Sequence, residues 1–272
     1  MDEYLLWEIF VIAAIYFVAG IVKGGIGLGL PTVSIGLMAV WLPVEQAAGI
    51  LIIPVILTNI WQSFFGTALK LIVYRLWPLL VTLIFGSFVG AILISGVNTA
   101  IVTALLGGVL ALFAISGLTG LKFTVPIEKE KKWNPVIGFT TGIISGATAI
   151  FVVPVVPYLQ SIDFSKGQSP SSENGFDPTR ASNETAEKDA LIQALGLTVL
   201  ISSGALAVGL NARGELPPSI ILPGIIATVT AILGMVAGRT IRNAMSLDVF
   251  KKWVLAGLLV LGFVMIFRAF LA

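Results

Sequence analysis

Long apolar runs separated by short polar clusters divide this chain. Six of them, at 47–69, 76–94, 100–121, 190–210, 216–237 and 253–272, each approach the ~20 residues that carry a helix across ~30 Å of hydrocarbon. They predict six full membrane spans. Two further runs, 5–42 and 135–159, are less regular, because each contains a glycine-rich interruption. The stronger is GIVKGGIGLGLP at 20–31, where one lysine sits among five glycines, and the weaker is GIISGATAIFVVP at 142–154. Glycine weakens a helix interior and proline removes a backbone donor, so the helix is expected to break in both places. Peptide groups freed at that depth need a protein-lined or water-filled cavity, since hydrocarbon cannot satisfy them.

The two interruptions belong to a longer internal repeat. Gly20 matches Gly142, Gly24 matches Gly146, and Pro31 matches Pro154 one residue out of step. Gln46-Ala47-x-Gly49 recurs as Gln193-Ala194-x-Gly196, Thr82 with Gly86 and Gly90 recurs as Thr230 with Gly234 and Gly238, and Gly108 matches Gly257. The offset grows from 122 to 147–149, which marks an insertion of about 25 residues. That insertion is the polar segment 167–188, whose composition predicts a flexible surface loop. The chain therefore divides into a first membrane repeat, 1–121, a cytoplasmic linker, 122–133, and a second membrane repeat, 134–272, with a polar loop at 161–188.

Composition and charge refine this picture. With 57% hydrophobic and 11% charged residues in 272, the chain has more apolar surface than a soluble core of this length hides. Placing 122–132 in the cytoplasm and alternating the spans collects 13 of the 16 basic residues there: Lys70, Arg75, the four lysines of 122–132, Lys166, Arg180, Lys188, Arg239, Arg242, Lys251 and Lys252. The same count runs 47–69 inward and its counterpart 190–210 outward, so the halves are inverted. The N-terminus is then expected outside, in the cell (inner) membrane, and MDEYLLWEIF lacks the basic flank of a signal peptide. Because 135–159 begins and ends on the cytoplasmic side with too few residues for two crossings, it predicts a re-entrant hairpin. The element at 20–31 predicts the tip of a matching hairpin from the other face, or two short spans. The fold class expected is an all-α polytopic membrane protein of two inverted repeats, about five helical segments each, both beginning with a glycine-broken hairpin or half-helix.

Cysteine and histidine are absent, which excludes disulfides, thiol chemistry, histidine proton relays and metal sites built on those ligands. Lys23 carries the sharpest chemical signal. An ammonium at mid-membrane should face protein, water or an anion, unless it snorkels to the headgroups from a short span. A helix restarting after each break offers unpaired N–H groups and the positive end of its dipole, which suits an anion. Candidate ligands around the first break are Gly24, Gly25 and Gly27; around the second they are Ser145, Gly146 and Thr148. Asn59, Gln62 and Ser63, beside Thr58, form a polar stripe on 47–69, and Gln193, Thr198, Ser202 and Ser203 form its counterpart. Amides and hydroxyls of this kind donate to oxyanion oxygens, or else they bond between helices and to their own backbone. Close packing is the preferred role of Gly86, Gly90, Gly234 and Gly238. Arg239 and Arg242 are expected to stabilise a helix end and hold topology. No nucleophile–base pair, metal cluster or cofactor fingerprint accompanies them, so an enzyme is not expected.

The glycine-rich element 20–31, SGATAIFVVPVVPYL at 145–159 and DALIQALGL at 189–197 resemble the TauE/SafE sulfite exporter family, over nearly the whole chain apart from 167–188. The resemblance implies transport of a small sulfur-containing or organic anion, such as sulfite, sulfoacetate or thiosulfate, coupled to an H+ or Na+ gradient. Lys23 departs from the mostly neutral glycine element associated with the family. The expected reading is a secondary transporter working by alternating access, with an anion channel on the same scaffold as the alternative. Expected partners are the anion, the coupling ion, the lipid bilayer and a second copy in a homodimer, with no cofactor and no nucleic acid.

Overall fold

The computed structural model describes residues 6–64, 66–94, 97–120, 125–164, 180–212, 214, 216–244 and 247–271. They form ten α-helices and one 3-10 turn, Pro218–Ile220, with no strand among them. In chain order the helices are α1 (Leu6–Ile26), α2 (Leu30–Met38), α3 (Val44–Phe64), α4 (Leu69–Ile94), α5 (Thr99–Thr119), α6 (Ile127–Thr148), α7 (Val155–Gln160), α8 (Arg180–Ala212), α9 (Ile221–Ala244) and α10 (Leu247–Leu271). Seven of these, α1, α3, α4, α5, α8, α9 and α10, are long and apolar enough to cross a membrane.

The solvent preference of a soluble domain is reversed. Phe10, Phe85, Ile92, Leu112, Val236, Phe263 and Phe267 are exposed on the outer helix faces, whereas Lys23, Thr58, Asn59, Ser63, Ser87, Thr198 and Ser202 are buried. An apolar exterior needs no shielding in lipid, and polar groups gather inside where they find partners.

Glycine decides how the helices pair. A Cβ at Gly20 or Gly24 would collide with the Ala231 or Met235 backbone of α9, and one at Gly234 or Gly238 with the Phe17 or Ile21 backbone of α1. Gly86 and Gly90 of α4 meet Phe139 and Ile143 of α6 in the same way, while Gly142 and Gly146 of α6 meet Leu83 and Ser87 of α4. Contact positions rise together in both pairs, so α1 runs parallel to α9 and α4 parallel to α6. Backbones this close are what small residues permit in membranes. The packing role expected for Gly86, Gly90, Gly234 and Gly238 extends to Gly20, Gly24, Gly142 and Gly146, through which the helices continue unbroken.

The backbone leaves the helix inside both predicted elements, toward the C-terminal end of each. In the first element the interruption is Gly27–Gly29, with Gly27 and Gly29 at φ of 85° and 103°, and Pro31 opens α2 in the first turn where its missing N–H costs least. In the second it runs from Ala149, the C-cap of α6 at φ 56°, to Pro154 before the six-residue α7. Three boundaries also differ from expectation, the first being that of α6, which starts at Ile127 inside the predicted linker 122–133. Helix α4 starts at Leu69 and so includes Lys70 and Arg75, and α8 starts at Arg180, making 180–188 helical where a loop is predicted. Residues 165–179 of that polar loop lie outside the described residues, as do 122–124 of the linker.

A polar lock holds α6 and α7 against α4. Arg75 donates to both carboxylate oxygens of Glu130, at 2.8 and 2.6 Å, and to the Asp163 carbonyl at 2.7 Å. Asn134 donates to the Arg75 carbonyl at 3.0 Å and accepts from the Tyr158 hydroxyl at 2.7 Å.

Candidate functional site

Lys23 stands near the end of α1, one turn before the Gly27–Gly29 break, and is only 5% exposed. Its Nζ donates to Thr58 Oγ1 at 3.0 Å and to Asn59 Oδ1 at 3.1 Å on α3. Both acceptors are held in place by their own helix: Thr58 Oγ1 donates to the Pro54 carbonyl at 2.7 Å and Asn59 Nδ2 to the Val55 carbonyl at 2.8 Å. An ammonium has three donors. Two are taken by neutral oxygens, and the third has no partner among the described residues, where no carboxylate pairs with Lys23 either.

Two cavities meet at this lysine. One, of about 440 Å³, is lined by Lys23, Gly24 and Gly27 of the first element, Thr58, Trp61 and Gln62 of α3, the turn residues Gly66 and Thr67, Asp189, Ile192 and Gln193 of α8, and Met235 and Arg239 of α9. It opens toward the α3–α4 turn. The other is a gap of about 10 Å³ lined by Lys23, Gly27, Leu28, Gly29, Pro31, Asn59, Val152 and Val199. Both glycine-broken elements contribute to it, Gly27–Pro31 from one and Val152 from the other. A space of that size holds about one water molecule.

Of the candidates expected from sequence, Lys23, Gly24, Gly27, Asn59, Gln62 and Gln193 line these cavities. Gln62 and Gln193 are also committed to backbone. Gln62 donates to the Ile192 carbonyl at 2.8 Å, while Gln193 donates to the Ser63 carbonyl at 2.7 Å and accepts from Ala68 N–H at 3.0 Å. Together they fasten the α3–α4 turn to α8. The others lie elsewhere. Gly25 faces the Phe250 ring, and Gly146 packs on the Ser87 backbone. Ser63, Thr148 and Thr198 bond to carbonyls one turn back in their own helices, and Ser145 bonds to the Gly142 carbonyl and to Ser87 Oγ at 3.2 Å. Ser202 Oγ is buried with no partner among the described residues. Thr67, Asp189 and Arg239 line the large cavity without having been singled out as ligands. Nothing in their local sequence separates them from ordinary polar residues of loops and helix ends.

The family model described as sulfite exporter TauE/SafE matches residues 12–172, more than half of the chain. The chain belongs to the TauE/SafE sulfite exporter family. The matched stretch includes both glycine-broken elements and α2 to α5 between them, and ends before α8, so DALIQALGL lies beyond it. No curated protein and no solved structure matches the chain significantly. Membership in TauE/SafE, with seven helices able to cross a membrane, makes this a multi-pass membrane protein of a transporter family.

Proposed function

We propose that the chain is a secondary transporter of a small anion, a sulfur oxyanion or organosulfonate such as sulfite, sulfoacetate or thiosulfate, and that Lys23 is the group that holds it. The observation that carries this reading is a buried lysine facing a cavity of about 440 Å³, whose third donor finds neither an acceptor nor a carboxylate among the described residues. A cation on a spanning helix costs about 2.5–3.5 kcal/mol on insertion scales at the helix centre and less toward its end, where Lys23 stands. The hydrogen bonds to Thr58 and Asn59 offset part of that cost, and a bound anion would supply the remaining charge compensation. Gly27 leaves its surroundings open, with nothing within 4 Å of where a side chain would begin, so a ligand can approach the backbone there.

The closed side of the site favours a carrier over a channel. Behind Lys23 the space narrows to about 10 Å³ between the two broken elements, while the other side is wide. A pore open to both faces has no such stop. Alternating access by two inverted repeats fits the helix pairing, because α1 of the first half rests on α9 of the second and α6 of the second on α4 of the first. In this reading the wide cavity faces the cytoplasm, where the positive-inside count puts the α3–α4 turn.

Binding is tested on purified protein by thermal shift with sulfite, sulfoacetate, thiosulfate, sulfate and acetate, since a ligand that prefers the folded state raises its apparent stability. Lys23→Gln should weaken the affinity for the anion that binds by about tenfold to a hundredfold, the worth of one charge-assisted hydrogen bond. An unchanged dissociation constant in folded K23Q protein would remove Lys23 from the site. Accumulation of the anion against its gradient in proteoliposomes is expected of a carrier; simple dissipation would favour the channel.

A further inference from the structure

Arg239 looks from sequence like a basic residue just past a helix end, where it would satisfy terminal carbonyls. The structure gives it different surroundings. Helix α9 continues to Ala244, so Arg239 lies more than a turn inside it, where the nearby carbonyls already accept ladder hydrogen bonds. Its side chain is exposed and has no hydrogen-bond or ion-pair partner among the described residues, yet it lines the cavity that ends at Lys23. The parallel register of α1 and α9, with Gly238 against Ile21 and Gly24 against Met235, puts Arg239 slightly nearer the mouth than Lys23. Asp189 is the one acidic residue lining the same cavity, and it is not ion-paired with Arg239. The lining thus holds two cations and one carboxylate.

We propose that Arg239 is a second anion-docking residue, stationed at the mouth of the cavity, which captures the oxyanion before it passes to Lys23. The proposal rests on the anion reading of Lys23. The two positions differ in the physics of their charges. An exposed mouth cation attracts the anion through water, so its effect falls on the association rate and fades as salt shortens the screening length. A buried cation in direct contact acts on residence and is screened far less. Asp189, facing the same entrance, opposes the capture.

The test is the association rate of sulfite with the full-length protein, followed by the fluorescence of the cavity tryptophan, Trp61. It is measured at ionic strengths where the screening length is about 30 Å and about 8 Å. Arg239→Gln should slow association by about tenfold at low salt and approach the wild-type rate at high salt. Arg239→Lys should keep the wild-type salt dependence, because charge and not fork geometry is required. Asp189→Asn should accelerate association at low salt. A purely topological or packing role for Arg239 would leave the low-salt rate of folded R239Q equal to wild type, and that result would overturn the proposal. Should R239Q fail to fold, an unaltered low-salt rate in D189N would overturn it instead. Loss of sulfite binding in K23Q beside an unaffected R239Q would reject the mouth site alone, whereas undiminished binding in K23Q would reject the anion reading beneath it.

Discussion

Lys23 is held by two oxygens whose own hydrogen bonds anchor them to α3, so the ammonium is fixed in direction before any ligand arrives. Replacing one of those oxygens should therefore be felt in the unliganded protein. Thr58→Val keeps the shape but removes an acceptor from a buried charge, and should lower stability by about 1.5–3 kcal/mol, read from thermal unfolding in detergent. The lock between α4 and α6 should be more sensitive. Glu130 is 4% exposed and bonded twice to Arg75, so Glu130→Gln removes the carboxylate from this largely buried pair and should cost up to about 3–5 kcal/mol. Lys23 was legible in the sequence because a charge in an apolar run has few alternatives. Its neighbours were less so. Thr58, Asn59, Gln62 and Ser63 share one stripe, yet Ser63 returns its hydroxyl to the Asn59 carbonyl at 2.7 Å and only Thr58 and Asn59 reach the lysine. A hydroxyl on a membrane helix always has its own backbone within range, and periodicity does not reveal which way it turns.

For the helices, glycine has two roles that look alike in sequence. Gly20, Gly24, Gly142 and Gly146 admit a neighbouring backbone, while Gly27 and Gly29 supply left-handed turns. Motif matching gathers both into one element, and so it does not say where within the element the helix breaks. The distinction yields a graded prediction. Gly86→Ala and Gly234→Ala drive a Cβ into a partner carbonyl that cannot move aside, and should lower the unfolding temperature and the yield of folded protein. Gly108→Ala and Gly257→Ala, with nothing within 4 Å of the added atom, should be neutral or raise stability by up to about 1 kcal/mol through helix propensity. Equal losses at all four positions would refute the packing role. Most spans were legible from length and apolarity alone. The start of α8 was not, because Glu, Ala and Lys in 184–188 signal a loop by polarity and a helix by propensity, and continuation from a stable span decides the matter.

At the scale of the whole molecule, the parallel pairs join helices far apart in the chain. The inverted reading makes a direct prediction for single cysteines in this cysteine-free protein. An impermeant thiol reagent on intact cells should label positions 98 and 211 and spare 67 and 129, and labelling of 98 without 211 would refute the inversion. The sequence did not reveal that the glycine-bearing α1 and α6 each rest on a helix far away in the chain, α9 and α4. Helix α1 leaves the ribosome well before its grooved partner α9, with seven helices made between them. Until synthesis passes Ala244, the helix bearing Lys23 has no permanent neighbour along Gly20 and Gly24, and must wait in the membrane or the insertion machinery with its charge only partly sheltered. Segments far apart in the chain thus fasten on one another like a clasp. Nascent chains cut short before α9 should be handed to quality-control proteases, while the two halves made as separate polypeptides should reassemble once both are present.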